Sequence, residues 1–166
     1  VYIPSNGFSL AATITPPENV TKPPVVVLVS AAGPQDRDET VFGIPILGQV
    51  AGRLADAGFF VVRYDKRGVG QSGGRIESVS IEAYAEDLKR VVDWVCKRKD
   101  IDKDRIALVG RAEGGSVALL AGSRQRGQIR ALALLSAPGE SGRAITLMQQ
   151  RRALAKLAEP EALKQE

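Results

Sequence analysis

The stretch Arg105-Ile106-Ala107-Leu108-Val109-Gly110-Arg111-Ala112-Glu113-Gly114-Gly115-Ser116-Val117-Ala118-Leu119-Leu120-Ala121 decides the fold. Arg105 to Val109 reads as a strand, because a short apolar run bounded by turn residues suits a segment buried on both faces. Ser116 to Ala121, with Val117, Leu119 and Leu120, reads as a buried helix. The reversal between them falls on Gly110 to Gly115, where Gly110, Gly114 and Gly115 permit backbone contacts that a side chain would forbid.

Outward from that turn the same alternation repeats. Phe59-Phe60-Val61-Val62-Arg63-Tyr64 is a second apolar strand, and Val25-Val26-Val27-Leu28-Val29 is a third, β-branched but for Leu28 as parallel strands covered on both sides tend to be. Between these two, Ile46, Leu47, Val50, Ala51, Leu54 and Ala55 recur at helical spacing and Gly58 supplies a stop. From Ser80, the residues Ile81, Tyr84, Ala85, Leu88, Val91, Val92 and Val95 mark the clearest amphipathic helix in the chain. Leu10 to Thr15 reads as a strand after an Asn6-Gly7 turn, Pro16-Pro17 to Pro23-Pro24 as a surface loop, Asp100 to Asp104 as a polar turn, and Arg130 to Ser136 as the last strand. The order strand, strand, helix, strand, helix, strand, helix, strand predicts an α/β fold with a mostly parallel sheet and helices on both faces. After Pro138-Gly139 the pattern is helical again through Ile145, Leu147, Met148, Leu154, Ala155 and Leu157.

Composition narrows the class. With 166 residues, 44% of them hydrophobic, one ordinary core is expected, and no run of about 18 apolar residues exists to span a bilayer. The net charge of +4 includes a basic tail of Arg143, Arg151, Arg152 and Lys156, but aromatic residues are only 5%, so a nucleic-acid surface is not expected. Cys96 is the only cysteine, which excludes an internal disulfide, and no histidine is present to join it in a metal site.

Strand, Gly110-Arg111-Ala112-Glu113-Gly114, helix resembles the nucleophile elbow of α/β-hydrolases, Gly-x-Ser-x-Gly, in which a strained turn lifts a serine above the sheet. Ser30-Ala31-Ala32-Gly33-Pro34-Gln35-Asp36-Arg37-Asp38-Glu39 resembles the glycine-containing loop after the third strand in bacterial esterases and dienelactone-hydrolase-like members. Arg63-Tyr64-Asp65-Lys66-Arg67-Gly68-Val69-Gly70-Gln71-Ser72 resembles the loop after the fourth. These motifs stand in family order over about residues 7–139.

The resemblance implies an α/β-hydrolase core over residues 1–139, with 140–166 the start of a helical cap or a linker. It places Ala112 at the nucleophile position, Gly110 and Gly114 at the elbow, and the backbone amides of Ala32 and Glu113 in the oxyanion hole. It implies a small acyl or ester substrate and neither cofactor nor metal. The family's catalytic acid and histidine follow later strands, so the fold is expected to be truncated before the last of them. Arg130–Ser136 would then be an unpaired edge, and the remainder of the hydrolase fold its partner.

Ala112 cannot form an acyl-enzyme, since it has no hydroxyl. Two histories fit it: a serine-to-alanine change made to inactivate an enzyme, for which the intact elbow glycines speak, and a natural loss, for which Arg111, where members often carry histidine, speaks. The chain is therefore read as an esterase-type serine hydrolase without its nucleophile, or as a non-catalytic relative that binds a small ligand or a protein. A dinucleotide-binding loop is disfavoured, because Gly-x-Gly-x-x-Gly spacing is absent and Glu113 would face a pyrophosphate. Asp36, Arg37 and Asp38 are expected to form a local ion-pair network, and Asp65, Lys66 and Arg67 to fix their own loop. Ser30, Ser72 and Ser116 do not lie at a sharp strand-to-helix turn and are not expected to replace the nucleophile.

Overall fold

The computed structural model describes residues 1–77 and 79–156. It contains strands β1 (Tyr2–Pro4), β2 (Ser9–Thr15), β3 (Pro24–Val29), β4 (Thr40–Val41), β5 (Ile44–Pro45), β6 (Phe60–Tyr64), β7 (Asp102–Arg111) and β8 (Ile129–Leu135), with helices α1 (Ile46–Asp56), α2 (Ile81–Cys96), α3 (Glu113–Arg124) and α4 (Gly142–Lys156). Leu157, assigned to the last helix from its spacing, lies outside the described residues.

Six strands form one sheet in the order β1-β2-β6-β3-β7-β8. β6, β3, β7 and β8 run parallel, and the two N-terminal strands are added antiparallel. The alternation expected from the sequence is thus present, on a mixed and mostly parallel sheet. β3 shows why Val25 to Val29 is apolar without alternation: Val25, Val27 and Val29 face a core shared with α2 and α3, while Val26 and Leu28 face a second core shared with α1. All five are at most 4% exposed, and each contributes about 1.5–3 kcal/mol by burial.

The helices follow their sequence signals closely. α2 opens on Ser80, whose hydroxyl accepts from the Ala83 amide at 3.3 Å, and buries Ala85, Leu88, Val91, Val92 and Val95. α3 begins at Glu113, three residues ahead of the expected start, because the turn is tighter than the glycines alone indicated. The polar turn after α2 is shorter than expected, with β7 already paired at Asp102. β1 was not legible: three residues ending in proline are too short for a period-2 count. Nor was the β4–β5 hairpin, which turns on Phe42-Gly43 with both φ positive, at 51° and 79°; phenylalanine is not a residue that advertises such a turn.

The winding positions the site. From β3 the chain crosses by α1 to β6 on one side, whereas from β7 it crosses by α3 to β8 on the other, with α1 and α3 on opposite faces. The strand order therefore diverges between β3 and β7, and the crevice beyond their carboxyl ends is where such sheets bind ligands. Among the described residues no helix is long and apolar enough to cross a membrane.

Candidate functional site

Two segments meet at that crevice: the loop after β3, starting at Ser30, and the turn after β7 at Ala112. Val29 and Gly110 are paired in register, so the segments leave the sheet side by side. Ala112 has φ 49° and ψ −119°, a conformation that L-residues rarely adopt and that strains any side chain. Its amide donates to the Leu135 carbonyl at 2.8 Å, and its carbonyl accepts from Gly115 at 2.9 Å, so the bend is held from both ends.

The elbow glycines are there for space. A Cβ on Gly114 would lie 2.5 Å from the Ser30 carbonyl oxygen and closer still to that of Val29. One on Gly110 would overlap the Gly114 carbonyl, and one on Gly115 the Ala137 methyl. The first turn of α3 thus rests directly on the end of β3.

Ion pairs then stitch the loops together. Glu39, fully buried, accepts from the Ala31 amide at 3.1 Å and pairs with Arg111. Arg111, which as a sequence feature hinted at drift, is therefore the counter-ion of a buried carboxylate. Lys66 Nζ donates to the Ala31 carbonyl at 2.5 Å and to Glu113 Oε1 at 3.2 Å, and stands 4.6 Å from the centre of the Tyr84 ring. Burial pushes the Lys66 ammonium below the ordinary lysine value, with the Glu113 carboxylate opposing the shift. Sequence reasoning assigned Lys66 to its own loop; it reaches the elbow instead. The available signal was its position just past the end of a central parallel strand, the edge that bears the site.

Asp36, Arg37 and Asp38 do not form the local ion-pair network expected of them: Asp36 accepts from the backbone amides of Asp38 and Thr40, and the other two pair with distant residues, because the loop after β3 packs against β6 and the loop that follows it. Arg37 donates to both Asp65 oxygens, Nε at 2.9 Å and Nη2 at 2.6 Å, and Arg63 Nε donates to Asp38 Oδ1 at 2.6 Å. Ser72 Oγ is committed to the Ala11 amide and the Asp65 carbonyl, and Ser30 is buried.

Asp65 gives these contacts a pH signature. Burial alone would raise its carboxyl, but hydrogen bonds from the Arg37 side chain and from the Gln71 and Arg37 amides outweigh burial and hold it below the ordinary carboxylate range. A carboxyl lowered on folding stabilises the protein above its unfolded pKa of about 3.9 and loses that contribution as pH falls through the folded value. Urea melts are expected to show the chain weakening steadily below about pH 4. An Asp65→Asn chain, less stable at pH 6, is expected to lose less over the same acid interval.

Among the described residues, neither the Ala32 nor the Glu113 amide has a hydrogen-bond partner. A doubly wound, mostly parallel sheet with a strained strand-to-helix bend at its switch point defines an α/β-hydrolase. The chain belongs to the family described as serine aminopeptidase, S33 (Hydrolase_4), which it matches over residues 45–162.

Among its relatives is esterase EstD of Thermotoga maritima, 31% identical over 105 residues, which cover 63% of this chain and 25% of that protein. Est1E of Butyrivibrio proteoclasticus, solved with ferulic acid bound, is similar at a TM-score of 0.67 and 25% identity, over 80% of this chain and 50% of that one. The α/β-hydrolase GrgF from Penicillium sp. sh18 has the same fold at a TM-score of 0.75 and 22% identity, over all of this chain and 55% of its own. The chain thus spans about half the length of these solved structures and less of its curated relatives.

Proposed function

We propose that this chain is the elbow-bearing portion of a carboxyl-ester serine hydrolase in which alanine stands at the nucleophile position, so that an acyl group is bound at residue 112 but not attacked there. The observation that carries this reading is the backbone of Ala112, φ 49° and ψ −119°. A strained bend serves to present a side chain, and a methyl group alone gives no reason to keep it. The Ala32 and Glu113 amides are the donors to the bound carbonyl oxygen, at the first turn of α3, whose dipole adds to the same polarity. Esters of small carboxylic acids are the substrate class, in keeping with an esterase among the relatives and ferulic acid on another.

In a serine-bearing form the hydroxyl oxygen adds to the ester carbonyl while a base takes its proton, and the two amides stabilise the oxyanion. This chain, with no histidine, does not supply that base in the usual way. The proposal extends to what completes the site. Leu119, Leu132, Leu134 and Leu135 are each about two-fifths exposed on and beside β8, the outermost strand. Further strands of a hydrolase fold, covering this apolar edge, are the partner it calls for. α4 is read with residues 140–166 as the start of a cap or linker.

The test is an Ala112→Ser chain with butylboronic acid. The serine oxygen bonds to boron, its proton leaves to buffer, and boron becomes a tetrahedral anion with one hydroxyl in the place of the oxyanion. A tetrahedral 11B signal and affinity about tenfold or more above that of the Ala112 chain are expected. Equal weak binding by both chains would overturn the proposal.

A further inference from the structure

We infer that Lys66 and Glu39 grip the backbone carbonyl and the backbone N–H of Ala31, braced by Glu113 and Arg111 on either flank of position 112, and that this clamp sets the place of the Ala32 amide relative to the Glu113 amide. The inference rests on the reading of those amides as the anion-binding pair.

The geometry is specific. The Ala31 N–H is held by Glu39 Oε2 at 3.1 Å and its carbonyl by Lys66 Nζ at 2.5 Å. Each of those side chains also reaches a neighbour of residue 112: Glu39 pairs with Arg111, and Lys66 with Glu113 at 3.2 Å. Both polar groups of residue 31 are therefore occupied, and the next amide in the chain, that of Ala32, is left to serve a ligand. The first and second halves of the site come from segments about 80 positions apart in sequence, the loop after β3 and the bend after β7. Sheet pairing fixes their roots at Val29 and Gly110. It does not fix the Ser30-Ala31-Ala32-Gly33 loop beyond them, in which Gly33 has φ 87°.

Burying one charge of each of two ion pairs is otherwise a costly way to hold a loop, because that charge must be removed from water while its partner, Glu113 or Arg111, stays 31% or 38% exposed. Lys66 and Glu39 are 3% and 0% exposed. Four charges, two of each sign, also leave this cluster without net charge of its own. The polarity seen by a ligand is then that of the amides, and Lys66 acts through Ala31 as a positioning residue rather than by touching the acyl group.

The experiment uses the Ala112→Ser chain, with 15N spectra recorded during a butylboronic acid titration. Binding is expected to move both the Ala32 and the Glu113 amide resonances. With Lys66→Met added, the clamp predicts that affinity falls about tenfold and that the Ala32 shift collapses while the Glu113 shift, anchored on α3, persists. Glu113→Leu, at a half-buried position that the fold can tolerate, is expected to give a similar loss, and the double variant little more, because both act on one contact. If both amides respond to boronate in the Lys66→Met chain as they do without it, or if both shrink in equal proportion, the clamp is refuted. If the Ala112→Ser chain itself binds boronate no better than its Ala112 counterpart, the failure belongs to the functional reading, and a clamp for that purpose falls with it.

Discussion

Gly114→Ala is expected to cost about 3 kcal/mol or more of folding stability, although it adds a single methyl group to the first turn of a helix. Helix propensity alone favours the change, since alanine improves on glycine by about 0.5–1 kcal/mol inside a helix. The added Cβ, however, would stand 2.5 Å from the Ser30 oxygen and nearer to that of Val29, both of them backbone atoms of the central strand and its end. Neither can swing aside as a side chain could, so α3 must lift off β3 and open the core that Val117, Ala118 and Ala121 share with it. Thermal melts should register a fall of about 6–12 °C. Gly52→Ala is the control: it lies inside α1 with nothing within 4 Å of the new methyl, and is expected to gain about 0.5–1 kcal/mol. Equal behaviour of the two variants would remove steric closeness as the reason for the elbow glycine.

The second large effect is expected at Asp87, on α2. Its carboxylate is buried and accepts from Arg67 Nε at 2.6 Å, Arg67 Nη2 at 2.8 Å and Ser5 Oγ at 2.9 Å. It therefore joins α2 to the loop after β6 and to the chain following β1. Asp87→Ala removes the acceptor from a guanidinium that is only 17% exposed, and breaking a buried pair from one side costs about 3–5 kcal/mol. Asp100→Ala is the comparison. Its carboxylate pairs with Arg98 at the surface, 57% exposed, and exposed pairs are worth about 0–1 kcal/mol. Denaturant midpoints for the two variants should differ widely; a loss below about 1 kcal/mol at Asp87 would mean that water replaces its partners.

Both effects depend on contacts of different legibility. The three elbow glycines were readable as a close strand-to-helix approach, because the constraint is local: strand, turn and helix follow one another within 20 residues. The Asp87–Arg67 pair was not readable. Asp87 sits on the helix marked out by Leu88, Val91 and Val92, and its own letter gives no sign that it points inward. Arg67 was assigned to its loop because it stands between Lys66 and Gly68, and only the packing of α2 against the sheet brings it within reach.

The same contrast separates what the sequence determined from what it could not. By itself it determined the alternation of strands and helices, the two-sided burial of Val25 to Val29, the helix behind Ser80 and the reversal over Gly110 to Gly115. Each of these is written in the periodicity or turn chemistry of neighbouring residues. Only the tertiary structure decided that Arg111 answers the buried Glu39 and that Lys66 joins Ala31 to Glu113. Those contacts span 72, 35 and 47 positions. They exist because the strand order sets β7 beside β3, and strand order arises from how all the helices and strands share one core, which no local pattern records.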